Sequence, residues 1–109
     1  MARDKADPGA RLRELQRGFL ERTDGEIAEL ESLYAGETLD RAEALASIER
    51  IAHRIAGGGG TFGFPELSTA AEALEQAAGR AQSEGGKTLE DLAPLVVELR
   101  RVHDALSPV

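Results

Sequence analysis

Apolar residues in this chain return at intervals of three and four and almost never at intervals of two. Leu12, Leu15 and Phe19 form one such stripe, and Leu45, Ile48, Ala52 and Ile55 another. A third runs Leu67, Ala70, Ala71, Leu74 and Ala78, and a fourth, nearly heptad, runs Leu89, Leu92, Val96, Leu99, Val102 and Leu106. A helix brings side chains back to one face about every 3.6 residues, whereas a half-buried strand alternates. No alternating β-branched run is present, so the chain reads as all-α. With 109 residues it is long enough to bury one core without disulfides or metal, and too short to divide into two domains. Aromatics are only 4% and Trp is absent, which leaves Leu, Ile, Val and Ala to fill that core.

Local signals divide the stripes into elements. Residues 1–8 are polar and are expected to be a flexible N-terminal segment, with a helical bundle over 9–107. A short N-terminal helix carries Leu12, Leu15 and Phe19. Thr23-Asp24-Gly25-Glu26 has the form of a capping box opening a helix through Ile27, Leu30 and Tyr34 to Gly36. Gly18 and Gly25 weaken this region without breaking it, so the two segments can also form one bent helix. Asp40 with Glu43 is a second capping box, opening the helix that contains His53. Pro65 suits the first position of the next helix, which should end near Gly85-Gly86. Thr88 to Asp91 form a third box-like start, after which Pro94 should kink the last helix or move its start later. The expected fold is an antiparallel up-down four-helix bundle with a short additional N-terminal helix.

Thirteen basic against twenty acidic residues give a net charge of -7, and the basic ones are scattered. That argues against a nucleic-acid partner and against an anionic membrane surface. There is no Cys, hence no disulfide framework and no thiolate nucleophile. No apolar run approaches the roughly 18 residues of a membrane span, and the first residues are too polar for a signal peptide. A cytoplasmic monomer is expected. The initial Met and short tails favour a stand-alone chain.

Two histidines are the main chemistry-bearing groups. On a helical wheel His53 lies about 100° from Ala52, off the apolar stripe, with Glu49, Arg50, Ala56 and Gly57 one turn away. It should face solvent or a partner, with small residues leaving room around its ring. His103, beside Arg101 and Asp104, reads as an ordinary solvated histidine. The glycines at 57–60 lack the strand and the Gly-Lys-Ser/Thr of a phosphate-cradling loop. Two distant histidines without a Glu-x-x-His motif do not make a zinc or di-iron site. Glu49 is placed to hydrogen-bond His53, but a hydrolytic triad also needs a nucleophile and an oxyanion hole. Independent catalysis is therefore not expected, and the glycine run admits the plainer reading of a helix stop.

The run from Ala52 to Leu67, AHRIAGGGGTFGFPEL, followed by SxAAEALE from Ser68 to Glu75, resembles the signature of histidine-containing phosphotransfer (HPt) domains. These are four-helix carriers of two-component phosphorelays. The resemblance extends in organisation over residues 10–106 and is sharp over 48–75. It implies that His53 is the phosphoacceptor, exchanging a phosphoryl group with the aspartate of response-regulator receiver domains, with a hybrid histidine kinase as a further partner. It implies no cofactor of the chain's own, Mg²⁺ being supplied by the receiver. Gly57 would let a receiver close over the ring, and Glu75 would bond the second ring nitrogen. Family members commonly carry Lys three residues after the histidine, whereas this chain has Ala56. A group of charge about -2 wants a cation nearby, and Arg50 and Arg54 are the candidates. Two other readings stand beside the phosphocarrier. One is a non-transferring HPt-like scaffold that binds or sequesters a receiver or kinase domain. The other is a kinase-like dimerisation element.

Overall fold

The computed structural model describes residues 8–35, 40–84 and 89–109. These contain four helices and no strand: α1 Pro8–Ala35, α2 Arg41–Phe62, α3 Pro65–Glu84 and α4 Leu89–Asp104. The Tyr34 side chain, Gly36, Gly85-Gly86 and Thr88, and with them the third box, lie outside the described residues.

The expected short N-terminal helix and its successor are one continuous helix of 28 residues, α1. Thr23 caps nothing. Its side chain is fully buried in mid-helix, and its hydroxyl has no hydrogen-bond partner among the described residues. The physical reason is phase: Phe19, Leu20, Thr23, Ile27 and Leu30 lie on one buried face, so continuing the helix sets both halves against a single core. The roughly 1 kcal/mol that an internal glycine costs is small beside the ~1.5–3 kcal/mol from each large buried apolar side chain. Leu12 and Leu15, by contrast, were expected in the core and are each 43% exposed. The Gln16 amide donates to the Phe62 carbonyl at 2.9 Å and its oxygen accepts from the Val109 N–H at 3.0 Å. The last turn of α2 and the end of the chain thus meet α1 at Gln16, and the leucines lie on the turns before it.

α2 opens as its sequence predicts. Asp40 has extended backbone, its Oδ1 accepts the Glu43 N–H at 2.8 Å, and that bond holds the carboxyl below the usual carboxylate range. Leu45, Ile48, Ala52 and Ile55 are all fully buried, joined by Ile51. The glycine run does not stop the helix, which continues through Gly57–Gly60 to Phe62. The stop is Gly63, at φ 87° in the left-handed region where glycine carries no penalty. The Phe64 N–H then reaches back to the Gly59 carbonyl at 2.8 Å, while the Phe64 carbonyl accepts from Leu67 and Ser68 in the first turn of α3. Gly63 and Phe64 alone connect α2 to α3, with Pro65 starting α3 where its missing N–H is harmless.

All three phenylalanines gather at this turn, Phe19 stacking on Phe62 at 4.9 Å and on Phe64 at 6.1 Å between centroids. α3 buries Leu67, Ala71, Leu74 and Ala78, and α4 buries Leu92, Val96 and Leu99. α4 begins at Leu89, ahead of Pro94, so the proline does not delay its start. Arg100 ties α4 to α1, pairing both carboxylate oxygens of Glu31 at 3.0 and 3.1 Å and also meeting Asp24.

Candidate functional site

His53 stands on the outer face of α2 with 76% of its side chain exposed. Its neighbours at 52 and 55 are fully buried, so the helix that presents the ring is anchored directly beneath it. Nδ1 lies 2.7 Å from Oε2 of Glu75 on α3, a carboxylate only 26% exposed. An ionised carboxylate only accepts, so the proton of this bond sits on Nδ1, and in the neutral ring the lone pair is left on Nε2. No partner engages Nε2 among the described residues. Glu49, the other candidate partner from the sequence, turns away instead: its Oε1 accepts from Gln82 at 2.7 Å. The reason is Gly79, whose missing side chain leaves room for the Glu49 carboxylate; a Cβ there would lie 3.0 Å from Oε2.

The two arginines have different surroundings. Arg54 donates from Nε to Oε2 of Glu26 on α1 at 3.1 Å and is half exposed. Arg50 is exposed and makes no ion pair among the described residues. On the α3 side of the ring the charge is negative. Glu49, Glu72 and Glu75 line an open groove of about 440 Å³, with Arg80 as its cation. Ala56, where the family lysine would stand, is buried, and its carbonyl accepts a bond from the Ser68 hydroxyl at 2.7 Å.

The glycine run divides into two functions. At Gly58 a Cβ would collide with the Phe19 ring, and at Gly59 it would lie 2.9 Å from the Ser68 nitrogen and 3.1 Å from the Phe64 carbonyl. These two let α1 and α3 close against α2. Gly57 and Gly60 are exposed, and a Cβ on either would meet nothing within 4 Å. Nothing among the described residues requires them to be glycine.

Glu26 and Ser68 were not found by sequence reasoning, since neither spacing nor residue type marks a contact across helices. His103 was misread. Only 11% of its side chain is exposed, with Nε2 at 2.9 Å from the Leu20 carbonyl and Nδ1 at 2.8 Å from Asp104. The α4 stripe passes through Leu99 and Val102, which carries position 103 to the edge facing α1.

Taken together, these features define an all-helical module that holds one imidazole rigid, oriented and open to a partner. The chain belongs to the histidine-containing phosphotransfer family: the sequence profile of the Hpt domain matches residues 14–107. Hpt domains take part in phosphotransfer in two-component signalling, as carriers meeting receiver domains and kinases more than as enzymes. A search of curated proteins and a search of solved structures each returned no significant match. No helix among the described residues is long and apolar enough to cross a membrane.

Proposed function

We propose that this chain is a phosphocarrier in which Nε2 of His53 takes a phosphoryl group from a receiver aspartyl phosphate and passes it on to another receiver. The observation that carries this reading is the exposed ring whose Nδ1 is bonded to Glu75 at 2.7 Å, leaving Nε2 as the nucleophile. In the transfer, the Nε2 lone pair forms the P–N bond while the P–O bond breaks and its electron pair stays on the receiver aspartate. The Nδ1 proton remains with the ring, held toward Glu75, so the reverse step releases neutral imidazole. Such a carrier needs little chemistry of its own, because phosphoryl transfer depends on in-line positioning and charge stabilisation. The receiver brings Mg²⁺.

Arg50, in no ion pair among the described residues and one turn from His53, is the cation that replaces the family lysine, and Arg54 is held back by Glu26. Gly57 keeps the approach to the ring free of bulk. The bundle, taken as residues 9–107, is up-down and antiparallel. In support, Gln16, Phe19 and Glu26 pair with Phe62, Phe62 and Arg54, while Glu49, His53 and Ala56 pair with Gln82, Glu75 and Ser68. The chain acts as a cytoplasmic monomer.

The test is incubation with a phosphorylated receiver domain and Mg²⁺, followed by assay of acid-labile, base-stable phosphate on the wild type and on His53→Ala. Label on the wild type that is lost in the variant is the expected result. A wild type that binds receivers and stays unlabelled, with His53→Ala binding equally well, would instead make the chain a sequestering scaffold.

A further inference from the structure

His103 lies outside the site proposed for phosphotransfer, and both of its ring nitrogens are engaged. Nε2 faces the Leu20 carbonyl on α1 and Nδ1 faces the Asp104 carboxylate on α4. Both partners are acceptors only. A neutral imidazole has one N–H and must turn a lone pair toward one of them, whereas imidazolium donates to both. The geometry points to His103 as a proton-operated latch between α4 and α1, closed when the ring is protonated and deprived of one bond when it is not.

The groups around the ring support this assignment. From α1, Arg17, Glu21 and Asp24 line an open groove of about 300 Å³ beside it, and Pro108 closes the groove from the C-terminal segment. From α4, Arg100 bonds both Asp24 and Asp104. With Glu31, which also pairs Arg100, four carboxylates thus share two guanidinium groups, which leaves room for further positive charge. Asp104 is held below the usual carboxylate range, first by its bond from His103 and then by Arg100, so it serves the ring as an ionised acceptor. The open groove gives water access to the ring.

The second bond is therefore made by the protonated ring and lost from the neutral one. The latch secures the last turn of α4 and the residues after it, which reach back to Gln16 through Val109. Proton loss loosens that end of the bundle, which meets the last turn of α2 at Gln16.

Two measurements test this. In a His53→Ala background His103 is the sole imidazole, and nitrogen NMR at about pH 5.5 should show both ring nitrogens protonated, with the Nε2 proton protected from exchange. A singly protonated ring under those conditions overturns the latch. Denaturant titrations of wild type and His103→Gln at about pH 5.5 and 8.5 should then show the wild type's advantage shrinking about fivefold in the unfolding equilibrium at the higher pH, the loss of one hydrogen bond. An advantage that does not change with pH also overturns it. If His103→Gln does not fold, the exposed Asp104→Asn carries the same comparison, and retention of the full pH dependence in that variant counts against the latch.

Discussion

Replacing Gly57 by alanine should make the protein more stable and a poorer carrier. Gly57 is exposed, and a Cβ built on it meets no atom within 4 Å, so the folded state has no steric objection to the methyl group. What remains is intrinsic preference: alanine in a helix interior is favoured over glycine by about 1 kcal/mol, a factor of roughly five in the folding equilibrium. The same methyl stands one turn from His53 on the face where a receiver must close over the ring. Overpacking a close contact costs ~1–3 kcal/mol, so kcat/KM for transfer should fall about tenfold. Gly59→Ala should behave in the opposite way. Its Cβ would press on main-chain atoms of Phe64 and Ser68, and the net destabilisation after the helix-propensity gain is about 2 kcal/mol. Urea titration followed by far-UV circular dichroism measures the first quantity, and timed transfer from a phosphorylated receiver the second. A Gly57→Ala variant that is more stable and transfers at the wild-type rate would refute the idea that this glycine serves the partner.

Four further outcomes are expected. Thr23→Val removes a fully buried hydroxyl without a partner among the described residues and should raise stability by about 1 kcal/mol in the same titration; a loss would mean that the hydroxyl is bonded after all. Glu75→Gln retains an acceptor for Nδ1–H and should still load with phosphate, whereas Glu75→Leu frees the tautomer and should load about fivefold more slowly; equal loading of Glu75→Leu and wild type removes Glu75 from the site. Arg50→Ala should shorten the lifetime of the phosphorylated protein about three- to fivefold, and Arg54→Ala, already engaged by Glu26, should shorten it less; the reverse order would reassign the cation. Asp40 has a depressed carboxyl, so its cap stabilises the fold above the ordinary Asp range and is lost as pH falls through the lowered value. Asp40→Ala should therefore be less stable than wild type at neutral pH and lose that deficit in acid, as a pH series of thermal melts would show.

Much of the fold was legible in the sequence because helix periodicity is a local signal. The stripe Leu45, Ile48, Ala52 and Ile55 and the Asp40 cap each follow from residues within a turn or two of one another. The exposure of His53 followed from the same wheel. Thr23 failed because a capping box and a helix interior share the same residues, and the choice rests on whether the apolar stripe stays in phase across the join. Leu12 and Leu15 failed because nothing within their own helix records where α2 ends. The failure at His103 is of the same kind: its acceptor is a backbone carbonyl 83 residues away, and a carbonyl has no sequence identity to read. Glycine was legible as a signal and misleading as to its effect. A run of four suggested a stop, yet two of the four are contact points for neighbouring helices.

The connection between α2 and α3 bears on how the reactive centre comes to exist. His53 and Glu75 are separated by 22 residues, nearly all of them helical, and the chain reverses direction through Gly63 and Phe64 alone. The entropy lost in closing so short a loop is small, and the contacts it brings together are local, which is the topology that forms fastest. The imidazole and its carboxylate therefore belong to one helical hairpin, with α1 and α4 serving as its buttress. Inserting a residue into that hinge would rotate one helix against the other and part the pair, whereas lengthening the links on either side of the hairpin leaves the spacing between imidazole and carboxylate as it is.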